Sequence, residues 1–147
     1  MDKGRPVRIE VATVADGHRE AFVYAGVLYR RPEGWYIRYD EEHDDGRVST
    51  TLKVQPNRVV ILRRGARTME QAFVPGAVTS GTFGTPYGRV ALTTRTRTVD
   101  VEETQEPPGL VIRIAYAWLL GGEPMGERRL TVIVKEGDTR PCTQPNR

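Results

Sequence analysis

The side chains best suited to chemistry in this sequence are polar residues at the ends of apolar alternations. Tyr39 and Glu41 continue one such alternation, and Arg63 continues another. Side chains two apart on a strand share a face, so inward-facing apolar sides would bring these groups together at the end of a core. An arginine there can fork onto a carboxylate or phosphate while a tyrosine donates a hydroxyl. The predicted ligand-binding residues are Tyr39, Glu41, Lys53, Arg63 and Tyr87.

The same residues have a structural interpretation. Glu41 and Arg63 can form an ion pair that closes one end of the fold, because burying either charge alone would cost several kcal/mol. The pattern alone does not separate a closing pair from a binding site. The functional hypothesis is a non-enzymatic protein that binds a small anionic or amphipathic molecule.

A second candidate surface is basic. The chain has 22 basic and 19 acidic residues, and this excess is too small to indicate nucleic-acid binding by itself. Several arginines fall in the middle of the chain and would form a positive face if their strands were neighbours. Such a face would bind nucleic acid or an acidic protein partner, or simply keep the sheet edge soluble. Its predicted residues are Arg64, Arg89, Arg95 and Arg97.

Catalytic and metal-binding patterns are lacking in the sequence. Ser49 and Ser80 lie outside any Gly-x-Ser-x-Gly elbow, and His18 and His43 fall in predicted hairpin loops, where a solvated role is typical. The acidic run over residues 40–45 lacks the glycine and glutamate spacing of an EF-hand loop. We therefore predict no catalytic residue, no metal site and no cofactor.

The elements that must position these residues are strands. Period-two stretches closed by turn signals run from Pro6 to about Glu136, and turns arrive about every 8 to 12 residues, as in a sandwich or barrel. Residues 66–74 fit either a helix or a strand, and we predict a strand. Sequential hairpins without a crossover helix form an antiparallel meander, which avoids exposed edges best by closing. The prediction is an all-β barrel of about eight to ten strands.

One long predicted strand follows the Thr-Pro-Tyr-Gly turn at residues 85–88. Threonines alternate with arginines in it, and β-branched threonine favours a strand. Strict alternation places Thr94, Thr96 and Thr98 on one face. It places Arg95 and Arg97 on the other face.

The length of 147 residues fits one domain, which we predict over residues 5–136, followed by a flexible tail over 137–147. The first residues contain no apolar signal segment, and no apolar run is long enough to span a membrane. The single cysteine, Cys142, lies in the polar tail and suits a reducing compartment. We expect a cytoplasmic protein whose oligomeric state the sequence does not define.

An ordered series of motifs resembles the YwiB-like family of bacterial β-barrel proteins. The resemblance implies a lipocalin-like, calycin-type barrel and a bacterial cytoplasmic origin, and it supplies no activity. The hairpin after Tyr39 is more acidic than the family pattern, and the pair Arg95 and Arg97 makes this member more basic. The matching motifs are Tyr39-Asp40-Glu41, Thr50-Thr51-Leu52-Lys53, Arg63-Arg64-Gly65, Met69, Phe73, Gly76, Thr85-Pro86-Tyr87-Gly88 and Tyr116.

Overall fold

The computed structural model describes residues 3–137, and all the regular secondary structure in that range consists of β-strands. Short turns join most of the strands, and residues 66–74, the ambiguous piece of the sequence, contain the sixth of them. The ten strands are β1 Arg5–Ala15, β2 His18–Arg31, β3 Gly34–His43, β4 Gly46–Gln55, β5 Arg58–Gly65, β6 Thr68–Phe73, β7 Val78–Thr85, β8 Gly88–Gln105, β9 Pro108–Leu120 and β10 Glu123–Glu136.

The strands form a closed antiparallel barrel. Each strand pairs with its neighbours in sequence, and β1 pairs with β10 from Val7 opposite Glu136 to Val14 opposite Arg129. Closure leaves no strand at the edge of an open sheet. The predicted all-β class, the meander and the closure into a barrel are confirmed.

Alternating strand direction gives the barrel two different ends. The turns at residues 16–17, 44–45, 66–67, 86–87 and 121–122 lie at one end, which we call the mouth. The remaining turns, the start of β1 and the end of β10 lie at the other end. We call the half of the barrel next to the mouth the open half and the opposite one the packed half.

The packed half is filled by side chains. Alternate residues of nearly every strand point inward there, as period-two patterning requires. Each buried aliphatic or aromatic side chain contributes about 1.5–3 kcal/mol of transfer free energy. Residues with no exposed surface in this half are Val7, Ile9, Ile37, Val59, Phe73 and Ile112.

The alternation on β8 changes phase once. The register with β9 shifts between Thr96 and Thr98, so Thr96 faces inward and is buried while Thr98 is exposed. Val99 then joins the residues that pack against the core. The prediction that Thr98 shares a face with Thr96 is wrong because a bulge inserts one extra residue and reverses the alternation.

The barrel wall is loosest between β2 and β3 at the mouth. Their pairing begins at Gly26 opposite Tyr39 and continues to Arg31 opposite Gly34, whereas β2 itself starts eight residues earlier, at His18. The first part of β2 therefore pairs with β1 alone among the described residues. The separation of the two strands gives the interior a wider opening at this end.

Two further sequence predictions concern the C-terminal tail and the membrane. Residues 138–147 of the predicted tail, with Cys142, lie outside the described residues. Within residues 3–137, no helix has the length and apolar character needed to cross a bilayer.

Candidate functional site: a cavity in the open half

A cavity of about 190 Å³ occupies the open half of the barrel. Its wall is mainly apolar and includes four aromatic residues, Tyr39, Phe83, Tyr116 and Trp118. The only charged residues that line it among those described are Arg63 and Arg128. A ten-stranded barrel is wider than the eight-stranded barrels whose interior side chains just fill, which explains why space remains.

Glu41 is the buried carboxylate beside this cavity, with 6% of its surface exposed. Its Oε2 accepts a hydrogen bond from the Thr50 hydroxyl at 2.7 Å, and its Oε1 lies 3.1 Å from His43 Nε2. His43 ends β3 with its side chain half-buried, so the prediction of a solvated loop histidine is wrong. These two contacts hold the carboxylate on the barrel wall.

Arg63 is paired with Glu41, but only loosely. Its Nε lies 3.5 Å from Glu41 Oε2, close enough for an ion pair, and yet this buried Nε makes no hydrogen bond within residues 3–137. Glu41 Oε2 is already the acceptor for Thr50 at the shorter distance of 2.7 Å. The ion pair expected from a closing role is present, and Arg63 still keeps a donor that can reach another acceptor.

Arg128 is the second arginine of the cavity, and no sequence argument singled it out. Its guanidinium carbon lies 4.7 Å from the centre of the Trp118 ring, a cation–π contact. Its Nε is buried and has no hydrogen-bond partner, and within residues 3–137 no carboxylate pairs with it. Arg128 therefore brings a positive charge into the cavity that the described protein does not balance.

The alternation of β10 could have identified Arg128. Leu130, Val132 and Val134 all face inward and are buried, so parity places Arg128 on the same side. It was missed because Arg129 follows it directly, so that the two arginines interrupt the apolar alternation before Leu130.

Buried tyrosines stand beside both arginines. Burial raises the pKa of the Tyr39 hydroxyl far above its ordinary value, and the charge and hydrogen bond of Arg63 only partly oppose this. Burial also raises the pKa of Tyr116, against the opposing influence of Arg128. Both hydroxyls thus stay protonated at neutral pH and can donate hydrogen bonds toward the cavity.

The predicted ligand-binding residues divide into two groups. Tyr39 and Arg63 line the cavity, and Glu41 lies beside them at 3.5 Å from Arg63, so the three are grouped as their alternation indicated. Lys53 points to the outside of the barrel, where its Nζ lies 5.8 Å from the centre of the Tyr36 ring. Its inclusion was wrong because it alternates out of phase with the buried residues of β4.

Tyr87 does not reach the cavity either. It occupies the turn between β7 and β8 at the mouth, and 98% of its surface is exposed. Its backbone N–H is bonded to the Thr85 hydroxyl at 3.1 Å, which fixes the turn. The prediction that Tyr87 donates its hydroxyl to the same site as Arg63 is wrong, because this turn projects into solvent.

The predicted basic face does not form one surface. Arg64 lies on β5, whereas Arg89, Arg95 and Arg97 lie on β8, and the strands β6 and β7 separate them. Arg97 is also paired with Glu127 at 2.9 Å. The condition for one basic face, that the strands carrying these arginines are neighbours, is therefore not met, and Arg64 lies apart from the three arginines of β8.

The acidic hairpin also behaves as an ordinary surface. Glu42 pairs with Arg47 at 2.9 Å and Asp45 with Arg67 at 3.4 Å. Within residues 3–137, no group of three or more histidine, cysteine, aspartate or glutamate side chains is arranged to hold a metal ion. Glu42 and Asp45 thus serve as surface partners for arginines.

Comparison with known proteins agrees with this architecture. A family model described as "Domain of unknown function (DUF1934)" matches residues 7–132, which is most of the chain. The chain belongs to the DUF1934 family. Tyr39, Glu41, Arg63 and Arg128 all fall within the part that the DUF1934 model matches.

One relative and one solved structure are similar over nearly the whole DUF1934 chain. The relative, "Uncharacterized beta-barrel protein YwiB" from Bacillus subtilis (strain 168), is 31% identical over 141 residues, covering 93% of this chain and 98% of the relative. The solved structure, the crystal structure of the ywiB protein from Bacillus subtilis, has a TM-score of 0.79 at 30% identity. It covers 93% of this chain and 96% of that one. The resemblance to the YwiB-like family is confirmed.

Proposed function

We propose that the barrel is a binding protein for a small organic anion, held in the open half by Arg128 and Arg63. One observation carries this proposal: two arginines line a cavity beside which a single buried carboxylate stands, and the Nε of each has no hydrogen-bond acceptor in residues 3–137. A buried donor without an acceptor costs about 1–3 kcal/mol, and more when the group is charged. A bound anion would supply the missing acceptor.

The shape of the site supports binding more than closure. A pair that only sealed the barrel would need one arginine for Glu41, and a fully packed interior would stabilise it further. The open half instead keeps about 190 Å³ of space and holds a second arginine. Apolar walls with a few convergent polar groups are the usual composition of a ligand site.

The test measures binding of organic anions by thermal shift and calorimetry, with neutral molecules of the same shape for comparison. A ligand at 100 times its Kd stabilises the folded state by about 2.7 kcal/mol, which raises the Tm by roughly 5–10 °C. We expect Arg128→Met to abolish this stabilisation. The matched control is Arg129→Met, because Arg129 is the adjacent arginine on the exposed outer face.

The result separates the two interpretations of the cavity. Stabilisation by anions that Arg128→Met removes and Arg129→Met preserves supports a binding site. If no anion stabilises the protein, or if the two variants lose the effect equally, the proposal is wrong. The arginines would then serve the barrel alone.

A further inference from the structure

We infer that the ligand of this cavity is a single-ring aromatic monocarboxylate, of the size of benzoate. This inference rests on the proposed function, since it names the ligand class of the same site. Three properties of the cavity carry it: its volume, its balance of charge, and the way Arg128 is held.

The volume limits the ligand to about one ring. A protein cavity of about 150 Å³ holds one benzene molecule, and one water takes about 30 Å³ in the liquid. The cavity here measures about 190 Å³, enough for a six-membered ring and one small polar group. Ligand sites for drug-sized molecules have about 300–1,000 Å³, so nucleotides and long acyl chains are too large to enter whole.

The charge balance selects a single negative charge. Arg63 and Arg128 contribute two positive charges, and Glu41, 3.5 Å from Arg63, offsets one of them. One carboxylate therefore neutralises the site. A phosphate ester with two charges would leave an excess negative charge in a mainly apolar cavity, where an unbalanced charge is costly.

The position of Arg128 favours a planar partner. Its guanidinium lies over the Trp118 ring at 4.7 Å, which restricts the orientation of its donors. A guanidinium fork matches the two oxygens of a carboxylate better than a single hydroxyl. The Tyr116 hydroxyl belongs to the lining of the same cavity and adds a further donor.

The walls around this fork suit an aromatic ring. Tyr39, Phe83, Tyr116 and Trp118 supply ring faces and edges, and aliphatic side chains such as Leu92 complete the lining. Aromatic pairs in offset or edge-to-face arrangements are worth about 0.5–1.5 kcal/mol beyond the area that they bury. A flat ring carrying a carboxylate in its plane meets both requirements at once.

The experiment compares five probes by calorimetry on the full chain: benzoate, benzyl alcohol, phenyl phosphate, acetate and hexadecanoate. We expect benzoate to bind, and benzyl alcohol to bind at least about tenfold more weakly, the factor that one charge-assisted hydrogen bond is worth. We expect phenyl phosphate to bind more weakly than benzoate, and acetate and hexadecanoate to show no saturable binding. Arg128→Met should remove benzoate binding.

A second variant keeps the test valid if Arg128→Met fails to fold. Arg128→Lys preserves the charge and loses the fork, so we expect benzoate affinity to fall several-fold while the Tm stays close to that of the parent protein. Equal benzoate affinity in Arg128→Lys and the parent would overturn the role given to the fork.

The probes distinguish failure of this inference from failure of the proposed function. Tighter binding of phenyl phosphate, acetate or hexadecanoate than of benzoate, lost in Arg128→Met, would refute the ligand class and leave the anion site standing. Equal affinity for benzoate and benzyl alcohol would refute the role of the carboxylate. Absence of any Arg128-dependent binding would refute the proposed function itself.

Discussion

Replacing Glu41 with glutamine tests whether the buried ion pair stabilises the barrel. The substitution keeps the size of the side chain, removes its charge and replaces one acceptor oxygen with an NH2 donor. Thr50 can still donate to the amide oxygen, so the main loss is the attraction between Glu41 and Arg63 across 3.5 Å. The free energy of unfolding should therefore fall.

The size of this fall follows from the geometry of the pair. Two unit charges at that distance attract by about 5 kcal/mol at an effective dielectric constant of about 20. Arg63 keeps 32% of its side-chain surface exposed, so water recovers part of this energy when the carboxylate is removed. Exposed pairs contribute about 0–1 kcal/mol and breaking a buried pair costs about 3–5 kcal/mol. We expect Glu41→Gln to destabilise the protein by about 1–3 kcal/mol.

Urea unfolding followed by tryptophan fluorescence measures this change. The matched control is Glu42→Gln, the same substitution one residue along β3 and on the opposite face. Glu42 pairs with Arg47 at 2.9 Å, but the two side chains are 70% and 68% exposed. Loss of the Glu42–Arg47 ion pair should change the free energy of unfolding by less than about 0.5 kcal/mol.

Two outcomes would refute the reasoning. Equal effects of Glu41→Gln and Glu42→Gln would mean that burial adds nothing to the attraction between Glu41 and Arg63. A more stable Glu41→Gln variant would mean that desolvating the carboxylate costs more than its partners return.

Four further predictions concern packing, backbone and charge. Phe73→Ala should cost about 3–5 kcal/mol in urea unfolding, because Phe73 is completely buried. Gly109→Ala should cost about 1–3 kcal/mol in the same assay, because a Cβ there would overlap the β10 backbone. The raised pKa values of Tyr39 and Tyr116 should make stability fall above about pH 10, by about 1.4 kcal/mol per pH unit for each tyrosine. Glu41→Gln should shift the preference of the cavity, measured by calorimetry, from benzoate toward phenyl phosphate.

The sign of the alkaline effect comes from the protonated form. Burial favours the neutral phenol in the folded state. The stability that the buried tyrosine contributes is therefore fully present below the ordinary tyrosine pKa near 10, and it is lost as the pH rises through the pKa of the folded state. Tyr39→Phe and Tyr116→Phe should each flatten the decline measured by urea unfolding between about pH 10 and 11. A decline as steep in both variants as in the parent protein would contradict this assignment.

The other predictions have their own controls. Phe22 is 54% exposed near the mouth, so Phe22→Ala should cost less than about 1 kcal/mol, and equal losses at Phe22 and Phe73 would contradict the division into two halves. A Gly109→Ala variant as stable as the parent would show that β9 and β10 can separate at this point. An unchanged preference in Glu41→Gln would contradict the charge balance assigned to the cavity.

The sequence predicted the barrel well because each step needed only local information. Period-two alternation assigns faces, and turn residues assign strand ends, so Tyr39, Glu41 and Arg63 could be placed on one side. Phase changes are harder to read. The bulge after Thr96 depends on the pairing of β8 with β9, and the local alternation of β8 does not reveal it.

Turns and outward residues limited the prediction of the site. Whether the turn that carries Tyr87 folds over the mouth or projects from it depends on packing between strands distant in the sequence. Lys53 was a different error, since its own parity against Leu52 and Val54 already placed it outside. Choosing a site residue for its chemistry alone therefore misplaced Lys53, whereas the alternation of buried and exposed residues on β4 would have placed it outside the barrel.

The division of the barrel into a packed and an open half has an evolutionary consequence. Most strands run through both halves, and each contributes one stretch to the packed half and another to the wall of the cavity. Exchanges of side chains around the cavity leave the packed half intact, so they can alter the shape and charge of the cavity without unfolding the protein. Relatives with this barrel are thus free to diverge in the lining of the cavity while keeping one common architecture.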